Sequence, residues 1–195
     1  MGVYMYVCNI LTMRKLIIPL VLLGASLASC NKLADIIVIR KNVEYTQDQD
    51  IPNIPNPGVA FPTAGITIPF PKYSLVTNSS TFFKDNNTSS NLLTSVKPHE
   101  LGITLVKPAN TNLDYVDTMR VYISADGLPE VLAAHEYGKN NASAFNLTPE
   151  DVELKSYFLK DSMYVRLEAH FIDYPDSNSK IQVKTSLAVV ANPLK

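Results

Sequence analysis

Three histidines are the first residues to examine for chemistry, because imidazole both titrates and binds metals near neutral pH. His99 follows Pro98 and reads as a loop residue. His135 closes an apolar strand, and His170 shares an outward face with Arg166 and Glu168. None has the His-Glu-x-x-His spacing that sets two ligands on one helical face. His99-Glu100 and His135-Glu136 are adjacent pairs, and neighbours on a strand point to opposite faces. The carboxylate pairs Asp48/Asp50 and Glu150/Asp151 sit in solvated and helix-starting contexts. Asp48-Gln49-Asp50 lacks the glycine and the final glutamate of a calcium loop. There is no Gly-x-Ser-x-Gly elbow, and the seven glycines form no phosphate-binding loop. The motifs therefore supply no catalytic set, no metal ligands and no cofactor site, and a non-enzymatic protein is expected.

The thiols point elsewhere. Cys30 ends Leu27-Ala28-Ser29-Cys30, after the charged pair Arg14-Lys15 and an apolar run from Leu16 to Ala28. A basic start, an apolar stretch and small residues before a cut are the parts of a secretory signal. The run is shorter than the roughly 20 apolar residues of a membrane span. Arg14 and Lys15 within a span from Tyr4 to Ala28 would each cost about 2.5–3.5 kcal/mol at a helix centre. Met13 immediately precedes the basic pair, so residues 1–12 read as an upstream extension. Tyr6 stands where N-myristoylation wants Ser or Thr.

A cysteine directly after the cut resembles the lipobox of bacterial lipoproteins. The resemblance implies cleavage before Cys30, with lipid on its thiol and its new amino end. Asn31, in place of an inner-membrane retention aspartate, implies outer-membrane sorting on either face. Removal of residues 1–29 leaves 166 residues, the size of one domain. The whole chain carries −1, and the removed part carries two cations and no acid, which leaves −3. That charge offers no basis for nucleic-acid binding. Cys8 leaves with the signal and Cys30 is acylated, so packing without a disulfide must hold the mature domain. There is no tryptophan, and there are ten tyrosines.

Elements that would position any surface site follow from periodicity. Ile36-Ile37-Val38-Ile39 reads as a strand or a short helix, followed by a polar stretch to Asp50. Pro52, Pro55, Pro57, Pro62, Pro69 and Pro71 then read as a spacer or as irregular edge structure, with a strand at Gly65 to Phe70. Residues 77–95 read as a polar loop with a short strand around Phe82 and Phe83. Leu101/Ile103/Leu105, Met119/Val121/Ile123, Met163/Val165/Leu167/Ala169/Phe171 and Ile181/Val183/Leu187/Val189 alternate with their neighbours, which marks strands buried on one face. A further strand is expected at Glu130 to His135, after an Asp126-Gly127 turn. Thr148 as cap, Pro149, Glu150 and Asp151 predict a helix from Pro149 to about Lys160.

The expected fold is mainly β: a β-sandwich of immunoglobulin-like or Greek-key topology with one short connecting helix, or alternatively a barrel. The expected organisation is a removed segment 1–29, a lipidated N-terminus and neck 30–72, and a sandwich 73–195. Tyr122 and Tyr164, beside Arg120 and Arg166 on the outward faces, are either contact residues or ordinary cross-strand pairs. Asp117-Thr118-Met119 and Asp161-Ser162-Met163 are similar to the acceptor motif of Bacteroidota O-glycosylation, which would make Thr118 and Ser162 modification sites. They also suggest two equivalent strands. Taken whole, the chain resembles small Bacteroidota cell-envelope lipoproteins. The resemblance implies a membrane partner through the lipid anchor, with an envelope protein or a glycan as the further ligand.

Overall fold

A computed structural model describes residues 38–194, apart from positions 110, 139–141 and 177 and the side chain at 145. The expectations placed on Cys8, Cys30 and the Ile36-Ile37 segment lie outside those residues. Within them the chain runs β1 (Ile39–Asp50), β2 (Ile66–Pro69), β3 (Tyr73–Val76), α1 (Ser79–Asp85), a 3-10 turn (Ser90–Leu92) and β4 (Leu93–Lys107). It continues as β5 (Val116–Ala125), β6 (Leu128–Tyr137), β7 (Ala144–Pro149), α2 (Lys155–Phe158), β8 (Ser162–Phe171) and β9 (Lys180–Ala191). Among the described residues no helix is long and apolar enough to cross a membrane.

All pairings are antiparallel, in the order β1-β9-β4-β7-β6-β5-β8-β2, with β3 also on β8. β7 bonds to both β4 and β6, so the sheet curls into two layers joined through it. β5, β6 and β7 follow one another and β8 returns beside β5, which is a Greek key. The inward residues of both layers form one core. Val121, Ile123, Val165 and Leu167 meet Ile103, Ile181, Val183 and Leu187 there, all withdrawn from solvent. Each such side chain contributes about 1.5–3 kcal/mol by burial. The fold is a β-sandwich, as the alternation in β5, β8 and β9 predicts.

Several local readings need correction. β1 is a polar strand at Ile39–Asp50, which starts at the last residue of the β-branched run and takes in the whole stretch read as polar. It is set by a 12-residue ladder on β9 rather than by its own apolar content. Within the segment 30–72 expected as lipidated N-terminus and neck, β1 and β2 pair into the sheet, and the compact unit that holds the sandwich starts at Ile39. The proline segment lies against the domain. Ile51 and Phe70 are buried, and Phe61 meets Tyr174 edge-on at 4.8 Å. Around Phe82 and Phe83 the chain forms α1, not a strand. Asn78, at φ 53°, turns the chain into it, and the Asn86 N–H and side-chain amide close it on Phe82 O. His99 is not in a loop. It is the extra residue of a bulge in β4, between Pro98 opposite Leu187 and Glu100 opposite Ser186.

The predicted helix at Pro149 is a strand end instead. Thr148 pairs with His135 and Pro149 with Ala134. The Glu150 N–H donates to Ala133 O, and helix appears only as the single turn Lys155–Phe158. A proline at a strand end forfeits no ladder bond, so the sheet wins over the local capping signal. The Asp117 and Asp161 segments are adjacent antiparallel strands. Thr118 sits at the start of β5 opposite His170, and Ser162 at the start of β8 opposite Val76, so the echo marks opposite ends of one pair.

Glu153 closes the start of β4. Its carboxylate accepts from the Val96 N–H at 2.8 Å, the Ser95 hydroxyl at 2.7 Å and the Lys155 N–H at 2.9 Å. Beside it the Leu154 N–H donates to Val96 O at 2.7 Å. Glu153→Ala is expected to destabilise the domain by about 1–3 kcal/mol, read from the urea midpoint at unchanged slope. No shift in the midpoint would show that water satisfies these donors equally well.

Candidate functional site

The outward face of β6, β5 and β8 gathers the four residues singled out from the sequence, together with others that the sequence did not single out. Strand alternation puts Thr118, Arg120, Tyr122 and Ser124 of β5 on that face, and Tyr164, Arg166, Glu168 and His170 of β8. The register sets Tyr122 opposite Arg166, and Arg120 opposite both Glu168 and His135. The Arg166 guanidinium lies 4.3 Å from the Tyr122 ring centre. It also reaches across to β6, where Nη2 donates to Glu130 Oε2 at 2.6 Å and Nε donates to the same carboxylate at 3.1 Å. Its Nη1 donates to Glu168 at 3.3 Å. Arg120 donates to the other oxygen of Glu168 at 3.1 Å and lies 5.6 Å from the Tyr137 ring centre.

At one end of this row His135 Nδ1 lies 2.6 Å from Glu150 Oε1, with its ring 4.6 Å from that of Tyr137. At the other end Lys72 lies 5.6 Å from the Tyr164 ring and donates to the Ser124 hydroxyl at 3.3 Å. The electrostatics follow the pairing. The Arg166 hydrogen bonds hold the Glu130 carboxyl below its usual range, and the Glu130 bonds raise Arg166 in turn. Arg120 is raised first by Tyr137 and then by Glu168. A hydrogen bond to Asp126 raises the Tyr164 hydroxyl.

Chemically this is a row of ion pairs and aromatic rings that satisfy one another. Tyr122 has one ring face covered by Arg166, the geometry of a cross-strand cation–π pair. Tyr137, more than half exposed, presents the largest aromatic surface of the row. Glu130, Tyr137, Lys72 and Glu150 were missed because their place depends on topology. Glu168 was legible, since it lies two residues from Arg166 on the same strand.

The remaining candidates lie apart from this row or at its margin. His170 Nδ1 sits 2.9 Å from the Thr67 hydroxyl and fastens β2. His99 is exposed on β4. Asp151 pairs with Lys97, Asp50 with Lys180 at 3.6 Å, and Asp48 accepts from the Gln182 amide at 3.3 Å. Thr118 and Ser162 are half-buried hydroxyls. Among the described residues no group of three or more His, Cys, Asp or Glu side chains is placed to hold a metal ion. A cleft of about 700 Å³ between β1 and the β2–β3 edge is lined by Asp50, Asn53, Asn178 and Ser179 with Pro69 and Pro71.

Burial pushes the Tyr45 hydroxyl up to about 12, and it raises Tyr73 as well. An unfolded tyrosine ionises near 10. Between about pH 10 and 12 the folded state therefore holds protons that the unfolded state has lost, and stability must fall as pH rises through that window. The Tyr45 hydroxyl donates to Thr77 O at 3.0 Å. The stability difference between the wild type and Tyr45→Phe is expected to shrink across this window in pH-stepped urea melts. A constant difference would refute the assignment.

No protein-family model matches this chain, and no curated protein matches it. Solved structures with a similar trace include infectious bursal disease virus Gt strain, at 14% identity and TM-score 0.30, covering 80% of this chain and 33% of that one. A carbohydrate-binding module of the β-sandwich superfamily gives 12% identity and TM-score 0.30, covering 81% and 57%. Turnip yellow mosaic virus gives 11% and 0.26, covering 80% and 84%. This chain thus spans about a third of the first viral chain. At these scores the likenesses carry no argument about ligand or partner. The class that fold and site define is a β-sandwich domain with a self-paired polar outer face.

Proposed function

We propose that this chain is a non-catalytic, membrane-anchored lipoprotein of the bacterial envelope, whose sandwich binds a protein partner or supports an envelope assembly. The observation that carries the reading is the Leu27-Ala28-Ser29-Cys30 segment behind Arg14-Lys15 and the apolar run. The fold adds a constraint. Ile39, where β1 begins, lies nine positions after Cys30, and a chain extends at most about 3.3–3.6 Å per residue. An acylated Cys30 would therefore keep the start of the sandwich within about 30 Å of the lipid. The proline segment, folded back on the domain, would add nothing to that reach.

Fatty-acid labelling with membrane flotation tests the anchor. Wild-type protein is expected to label and float, and Cys30→Ser to do neither. A Cys30→Ser chain that still labels and floats would overturn the reading. Crosslinking in envelope membranes tests the partner, with Tyr137→Ala expected to weaken capture of a specific partner by about ten-fold, as for an aromatic contact residue.

A second reading is a glycan-binding surface lipoprotein. It is supported by the exposed Tyr137 ring and by Asn53, Asn178 and Asp50 in the cleft. Those polar groups line a cleft with no aromatic wall, which weakens it. Affinity gels with envelope and plant polysaccharides decide: retardation lost in Tyr137→Ala would favour it, and no retardation on any polysaccharide would dispose of it.

A further inference from the structure

The open edge of β1 carries an inference that does not depend on the anchor. β1 pairs with β9 over all 12 of its residues without a register shift, and no other strand of the described residues pairs with its far side. The Ile51 N–H continues that ladder to Ser179 O at 2.8 Å. Along an antiparallel strand the backbone groups of alternate residues point to the same side. The odd residues from Ile39 to Gln49 therefore direct their N–H and C=O groups at β9. Arg40, Asn42, Glu44, Thr46, Asp48 and Asp50 direct theirs at the open edge, and their side chains share the outward face. An edge of this length is a template for another strand.

The side chains say which strand fits. Charge on that outward face is polarised, with Arg40 at one end, Asp48 and Asp50 at the other, and Glu44 between them. Turned about a two-fold axis, the edge can meet itself antiparallel so that paired residue numbers sum to 90. Arg40 then faces Asp50 of the second copy, Asn42 faces its Asp48, and Glu44 faces its Thr46. No like charges oppose one another. A slip of two residues one way sets Glu44 against Glu44, and a slip the other way sets Glu44 against Asp48. Like charges directly opposite are destabilising on a sheet. A slip of one residue would bring together backbone groups that point away from the edge. The neighbouring cations on β9 face the same acids without saturating them. Lys184 lies 3.3 Å from Glu44, and Lys180 only 3.6 Å from an exposed Asp50, which leaves room for Arg40.

We propose that two copies of this chain pair through β1 in this register, making one continuous sheet across a two-fold axis. The interface is isologous, as a closed dimer requires. The test uses the full chain in intact cells that express it, wherever in them it resides. Opposite residues of an antiparallel pair bring their Cβ atoms to about 4.5–5.5 Å, close enough for a disulfide after small adjustment. Under mild oxidation the double variant Glu44→Cys/Thr46→Cys is expected to run as a covalent dimer. Glu44→Cys and Thr46→Cys alone, whose thiols face no thiol in this register, should stay monomeric. Adding Arg40→Asp to the double variant should cut the dimer fraction about ten-fold, and adding Asp50→Arg as well should restore it. Unchanged thermal melts of these variants exclude misfolding as the cause. A double variant that crosslinks no better than the single ones overturns the pairing, and so does a charge reversal that the swap fails to rescue.

Discussion

Phe158→Ala should lower the stability of the domain by about 3–5 kcal/mol. Phe158 and Phe171 are the largest fully buried side chains of the described residues, and Phe158 stands at the end of the single helical turn α2. Its ring meets Phe82 edge-on at 5.7 Å and Phe83 at 6.4 Å, so it is the surface on which α1 sits. α1 has seven residues, too few to be stable on its own, and depends on this packing. Truncation removes the burial of the ring, leaves a cavity between two short helices and unseats α1. Since a domain of this size holds only about 5–15 kcal/mol in total, the loss should be plain in the denaturant midpoint. Phe158→Leu, which keeps most of the volume, should cost less than about 1.5 kcal/mol. If the alanine variant loses less than about 1 kcal/mol, α1 does not depend on this ring.

Gly65→Ala is the second large effect, and it acts through the backbone. Gly65 has φ +68°, a conformation that L residues rarely hold. A Cβ there would collide with the His170 imidazole at Nε2 and lie 2.6 Å from the Phe171 carbonyl oxygen. The imidazole can swing aside at the cost of its bond to Thr67, but the carbonyl is sheet backbone and cannot. Strain of this kind costs about 1–3 kcal/mol before the contact with the carbonyl is added. The expected result is a loss of at least about 2 kcal/mol, with residues 51–69 released from the sheet. Limited proteolysis within that segment and faster amide exchange in β2 would report it. Thr67→Ala, which removes only the hydroxyl from His170, should cost about 1 kcal/mol and leave the segment protected. Equal protease resistance of Gly65→Ala and the wild type would refute the argument.

These two sites differ in how visible they are in the amino-acid order. Val121 and Ile123, Val165 and Leu167, and Ile181 and Val183 announce strands because one face of each is buried and the other is wet. β1 has no such pattern, since its outward face is in solvent and its inward face is only half covered, at Val43 and Tyr45. The first half of β4 is hidden by bulges at Thr94 and His99, which shift the inward positions from Val96 and Pro98 to Leu101 and Ile103. Thr148-Pro149-Glu150 carries every local sign of a helix start. It is overruled by pairing with Ala134 and His135, more than ten residues away.

By itself the sequence determined the strand-rich core and the outward placement of Arg120, Tyr122, Tyr164 and Arg166, because alternation is a property of neighbours along the chain, and it left a sandwich and a barrel both open. Only the tertiary structure decided that Arg166 crosses β5 to Glu130, that Glu150 meets His135, that Gly65 lies against Phe171, and that β1 ends the sheet with an open edge. Each of these depends on strand order and register. Those are set by long-range packing of the whole core, which no local window of residues contains.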